Sequence, residues 1–241
     1  MNATEPTQIS TPAPVDFVRK KWFLFVQRIM KVFIKKTEFI SLGQPPVPGS
    51  IILSNHEGTK APLALELYSG LPVRFWGAHE MNTNMKTTYR YQTKVFYHEK
   101  KHWNLTLARL FCLIATPLTR MFYHGLGVIS TYGDIRLKNT LSQSLTALKK
   151  RHTLVIFPEK SDKGYLKELE GFHQGALLLL EYCKRNHLDV PVHVAYYKKD
   201  AKQYVFDAPV TVRELLDLGL TRAQLAEKLC NRCNELGKME F

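Results

Sequence analysis

The chain is 241 residues long, 45% hydrophobic and 23% charged, which excludes a disordered polymer and fits one large α/β domain. With 34 Lys and Arg against 21 Asp and Glu its formal charge is +13, so its partners are expected to be anionic: nucleic acid, a phospholipid surface or a phosphorylated substrate. It has no run of roughly 18 uninterrupted apolar residues and no secretory-signal pattern, and Cys112, Cys183, Cys230 and Cys233 are too scattered for a disulfide framework. The expectation is a cytoplasmic protein, peripheral on the cytoplasmic face of a membrane.

Residues 1–14 are rich in Thr, Pro, Ser and Asn, and predict a flexible tail. Over 15–40 a basic amphipathic helix is expected, its clearest stretch being 17–36, which has no acidic residue. Helical projection sets Lys20, Arg28, Lys31 and Lys35 opposite Trp22, Phe23, Val26, Ile29, Met30 and Phe33, with Arg19 and Leu24 breaking the pattern. Two readings fit: a segment lying in an anionic lipid interface, or a helix docked on its own domain with its lysines in water. The rest of the chain, 41–241, reads as the α/β domain.

Within that domain the QPPVPG turn precedes a short apolar run at 50–54 (SIILS), suited to a buried strand. A helix at 62–68 and a strand at 73–76 follow. Residues 105–122 are strongly apolar but contain Arg109, Pro117 and Arg120, which predicts a kinked helix on the domain or at an interface rather than a span. Then come a helix at 137–150, a second buried strand at 153–157 (TLVIF), a helix at 171–186, a strand at 190–196 and another at 205–210. A last helix at 221–236 opens with Thr221 and Gln224 spaced as a capping box. Strands alternating with helices predict a single domain with a mixed, largely parallel sheet flanked by helices.

Two strand ends carry the chemistry. Ser54-Asn55-His56 follows the SIILS run, where an open α/β sheet presents its functional groups. Imidazole, with an ordinary pKa of about 6.5, can take a proton from a hydroxyl at neutral pH. Phe157-Pro158-Glu159 follows TLVIF, with Lys160, Ser161, Asp162 and Lys163 behind it, a carboxylate and two ammonium groups where an anion could be held. Taken singly, either segment could be a surface histidine or a polar loop.

In order and spacing, five blocks over 46–197 resemble the glycerolipid acyltransferase family that includes the lysophosphatidic acid acyltransferases. These are Asn55-His56 with the position five residues after His56, Gly127-Val128-Ile129, Phe157-Pro158-Glu159, the stretch from Gly171 to Ala176, and Val190-Pro191-Val192. The resemblance implies transfer of a fatty acyl group from an acyl-CoA or acyl-carrier-protein thioester to a hydroxyl of a lysophospholipid or other glycerolipid, in phospholipid biosynthesis. His56 would be the general base with Asn55 and Glu57 beside it; Glu159, Lys160, Ser161, Lys163 and Arg136 would bind the acceptor. No metal, resident cofactor or covalent nucleophile is called for.

The departures bear on the same chemistry. Ala61 stands where the family has the aspartate that orients the imidazole, leaving Glu57 and Glu159 as candidates to replace it. An aspartate at position 61 should raise turnover if the pocket is otherwise intact. Ser130, Thr131, Tyr132 and Gly133 replace residues of the second block and Asp162 replaces the arginine of the third, so Arg136, Lys160 and Lys163 become the candidate cations. The alternative is a catalytically silent member that binds lipid or acyl carrier. Cys230 and Cys233 form a lone CxxC inside a helix, better explained by helix spacing than by zinc. The basic, aromatic stretch 86–103 could stack bases or cover a channel, but no nucleic-acid motif accompanies it and no nucleic-acid partner is expected.

Overall fold

A computed structural model of the chain describes residues 19–160 and 164–241, with the backbone alone at Lys100. The tail expected at 1–14 lies outside these residues, as do Ser161, Asp162 and Lys163. In chain order the elements are α1 (Lys21–Phe33), β1 (Glu38–Ser41), β2 (Ile51–Ser54), α2 (Lys60–Tyr68), β3 (Val73–Ala78), α3 (Met85–Arg90), α4 (Leu105–Leu126), β4 (Ile129–Thr131), α5 (Leu137–Lys149), β5 (Thr153–Ile156), α6 (Leu177–Arg185), β6 (Pro191–Lys198), β7 (Gln203–Phe206), β8 (Val210–Thr211), α7 (Val212–Asp217) and α8 (Arg222–Lys238).

The eight strands form one mixed sheet in the order β1-β7-β6-β2-β5-β3-β4, with β8 beside β6. From β6 to β4 every pairing is parallel, while β7 and β8 run antiparallel to β6. The apolar runs make this possible because both faces of the central strands are covered. Ile51, Leu53, Leu154, Ile156, Val192 and Val194 point to one core, where α5, α6, α7 and α8 supply Leu148, Leu177, Leu180, Leu215 and Leu229. Ile52, Val155 and Ala195, one residue out of phase, point to the other with Phe23 of α1, Ala61, Ala64 and Leu65 of α2, and Leu126 of α4.

This connectivity positions the site. β2 leads through α2 to β3, passing β5 on one face; β5 leads through α6 to β6, passing β2 on the other. The loops leaving the carboxyl ends of these neighbouring strands therefore diverge, which opens the crevice where doubly wound sheets hold ligands.

Several boundaries differ from the sequence reading, each for a physical reason. In α1, Phe23 is fully buried, with Val26, Gln27 and Met30 half-buried, whereas Phe25, Ile29, Val32 and Phe33 are exposed. Much of the expected apolar face thus docks on the domain. Arg19, which broke the helical pattern, donates to Glu66 at 2.6 Å and to the carbonyls of Leu126 and Val73. The helix expected at 171–186 begins only at Leu177, because Phe172 forms a β-bridge with Glu159 and Gln174–Ala176 is a 3-10 turn. α4 continues past Phe122 to Leu126 with Pro117 inside it, and Gly127 at φ 58° ends it. A Cβ at Gly127 would lie 3.0 Å from the Arg74 guanidinium, which donates to the Gly127 carbonyl at 2.7 and 2.9 Å. The basic, aromatic stretch contains a π-helix at Tyr91–Lys100. Thr221 and Gln224 form the expected capping box.

Candidate functional site

β2 ends in a clamp. Ser54, Asn55 and Tyr204 are fully buried. The Tyr204 hydroxyl donates to Ser54 Oγ at 2.7 Å, and Asn55 extends the sheet ladder with its side chain. Its Oδ1 accepts the Tyr197 N–H at 2.6 Å and its Nδ2 donates to the Tyr197 carbonyl at 3.1 Å. A carboxamide is the side chain with both a donor and an acceptor in that geometry. Asn55, named from sequence among the catalytic residues, is thus occupied in tying β2 to β6 immediately before His56.

After the clamp the chain turns through two left-handed residues, Glu57 at φ 42° and Gly58 at φ 65°. A left-handed glutamate is an uncommon conformation, which surrounding structure must hold in place. The Glu57 carboxylate lies 3.9 Å from Lys199 Nζ at the end of β6. The turn swings His56 over the end of β5. There its backbone N–H donates to Glu159 Oε1 at 2.7 Å, joining residues 103 positions apart. The imidazole lies 4.6 Å from the Phe157 ring and 5.2 Å from the Tyr165 ring, centroid to centroid.

Glu159 is held in place by the bridge to Phe172, which the His173 N–H to Pro158 carbonyl and Lys160 N–H to Gly171 carbonyl bonds flank at 2.6 and 2.9 Å. Burial raises the Glu159 carboxyl to about 7; the His56 N–H opposes this and the Glu57 charge adds to it. A carboxyl titrating near neutrality can hold or release a proton at working pH. Burial also pushes the Tyr165 phenol up to about 12, with Tyr123, Glu159 and Tyr91 contributing through their charges. Tyr165 therefore stays a hydroxyl donor beside the His56 ring.

The other sequence-named residues fall in different places. Ala61, in the first turn of α2, is fully buried in the apolar core with Ala64, Leu65 and Phe75. Lys160 is exposed next to the bridge, and Ser161 and Lys163 lie outside the described residues. Arg136 is at the start of α5, after β4, three strands from β2, or about 14 Å at the usual strand spacing. Its Nη2 and Nε hold the Asp134 carboxylate at 2.7 and 3.0 Å, lowering that carboxyl to about 2. Its guanidinium also lies 4.5 Å from the Tyr132 ring centre. The structure thus brings His56, Glu57 and Glu159 together and leaves Arg136 engaged at the sheet edge.

Tyr165, Lys199, Tyr197 and Tyr204 were not singled out by sequence. Their roles come from loop and strand packing, and no motif marks them. The groove walled by Val194, Asp207, Leu215, Leu229 and Arg232 contains none of these residues. No protein-family model matches the chain, and no curated protein matches it.

Proposed function

We propose that the chain is an O-acyltransferase that moves a fatty acyl group from an acyl-CoA or acyl-carrier-protein thioester to a hydroxyl of a lysophospholipid or other glycerolipid. The observation that carries this reading is the convergence of His56 and Glu159, the functional residues of two separate sequence blocks, at the divergent ends of β2 and β5. His56 takes the acceptor hydroxyl proton as the oxygen attacks the thioester carbonyl. Collapse of the tetrahedral intermediate breaks the C–S bond, and the imidazolium returns the proton to the departing thiolate, leaving an ester and a free thiol. Glu159 positions His56 through its main chain. The aromatic walls of Phe157 and Tyr165 exclude water from the thioester.

The acceptor is drawn from an anionic membrane on the cytoplasmic side. The acid-free sequence of α1 and its exposed Phe25, Val32 and Phe33 support this location. One observation favours a second reading, a silent member that binds lipid or acyl carrier: the buried, apolar setting of Ala61 supplies no carboxylate. Mass-spectrometric lipid profiling of a deletion strain complemented with wild type or His56→Ala separates the two. Acyl transfer requires a lipid change restored by wild type and not by His56→Ala; restoration by both supports the binding reading.

A further inference from the structure

α4 is 22 residues long and apolar enough to cross a membrane by length and composition, yet one side of it is built into the domain. Ala108 and Cys112 are fully buried. Thr116 Oγ1 donates to Gln92 Oε1 at 2.6 Å, Gln92 Nε2 donates to Thr119 at 2.8 Å, and the Tyr89 hydroxyl donates to the Arg109 carbonyl at 3.1 Å. A crossing helix would carry these polar partners into hydrocarbon, where their neighbouring backbone could not be satisfied.

The opposite side of α4 is bare. Leu107, Leu110, Phe111, Leu113, Ile114, Leu118 and Met121 are all exposed, Ile114 at 73% and Leu110 at 66%. At 100° per residue these seven fall within an arc of about 160°. Arg109 and Arg120, about 20° apart, lie some 20–40° beyond the Leu113 edge of that arc, between it and the buried side. The sequence has no acidic residue between Glu99 and Asp134. Apolar side chains on the face, cations at its rim and a helix axis held along the domain are the features of a segment lying in a lipid interface.

We propose that the exposed face of α4 is a seat for an anionic membrane, lying in its plane with the apolar stripe in the acyl boundary and Arg109 and Arg120 at the phosphates. Charge decides against a second copy of this chain as the occupant, since it would set this cationic rim, and a protein of charge +13, against its own like. The neighbouring α1 packs against the end of α4: its Phe23 ring lies 5.3 Å from Phe122, and Arg19 donates to the carbonyls of Gly125 and Leu126. The inference goes beyond the acyl-transfer reading and does not depend on it.

The test is flotation of the full-length protein with phosphatidylcholine vesicles, with and without phosphatidylglycerol, checked by melting temperature and by solution mass. Wild type should float with the anionic vesicles, less so at high salt. The triple variant Leu110→Ser/Ile114→Ser/Leu118→Ser should bind about tenfold or more weakly with an unchanged melting temperature. Arg109→Gln/Arg120→Gln should reduce the preference for phosphatidylglycerol. Equal binding by the triple variant and wild type would overturn the proposal, as would loss of binding only in Val32→Ser/Phe33→Ser on α1. A wild-type dimer that the triple variant converts to monomer would assign the face to a second copy instead.

Discussion

Among the strand-end loops that carry residues the sequence offered as functional, those after β2 and β4 are built in opposite ways. The loop after β2 is fixed from within: Ser54 and Asn55 are fully buried and hydrogen-bonded to Tyr204 and Tyr197, and the His56 N–H is held by Glu159. The loop after β4 meets solvent, and its cation, Arg136, is satisfied by Asp134 two residues away. A reacting group needs a fixed position, and buried hydrogen bonds supply it at the first loop. At the second, the charge is already neutralised by a local partner, so it offers little to an anion.

Breaking the clamp should have the largest effect on stability. Asn55→Ala leaves the Tyr197 N–H and carbonyl buried without their partner, which should cost about 2–4 kcal/mol in chemical denaturation. A loss no larger than that of an exposed substitution would show that the first loop is not held from β6. Ala61→Asp probes the same region from its apolar side. It places a carboxyl in the core of α2, so the melting temperature should fall unless the carboxyl is paired. A gain in turnover with that fall would identify it as the orienting group absent from the wild type.

Glu159→Gln keeps an oxygen acceptor for the His56 N–H and removes the ionisation. Because burial raises the folded Glu159 carboxyl from 4.5 to about 7, the folded state binds the extra proton, and this contribution is full below about pH 4.5 and lost as pH rises through 7. Relative to wild type, the variant should gain on the order of 1 kcal/mol above pH 7, read from denaturation at several pH values. Parallel pH profiles for the two proteins would show that the Glu159 carboxyl does not titrate near neutrality in the folded protein. The smallest effect belongs to the second loop: Arg136→Gln should leave turnover within about twofold, since an exposed, locally paired arginine contributes little. A large drop in acceptor affinity would restore Arg136 to the site and collapse the contrast between the loops.

Legibility in the sequence followed locality. The runs SIILS and TLVIF and the capped helix at Thr221 announce themselves through burial pattern and end chemistry, and the structure contains β2, β5 and α8 there. β1 was missed because EFIS is half-polar and becomes a strand by pairing in parallel with β7, some 165 residues away in register. The late start of α6 has the same origin: Gly171 to Ala176 read as helical until the Glu159–Phe172 bridge, a contact made across the loop, took them out of the helix. In the site, His56 and Glu159 were visible as strand-end residues, but their contact depends on the crossing of two connections over opposite faces. Tyr165 and Lys199 carry no signal of their own, since only folding brings them beside His56 and Glu57.

The central claim is that His56 does chemistry on a thioester at the β2–β5 crevice. It is tested most directly by thiol release from a long-chain acyl-CoA, with and without lysophospholipid on anionic vesicles, for wild type and His56→Ala at matched melting temperature. The account predicts release that depends on the lysophospholipid and a loss of about 10²–10⁴-fold in the variant. Equal release by the two folded proteins, or release indifferent to the acceptor, would contradict it.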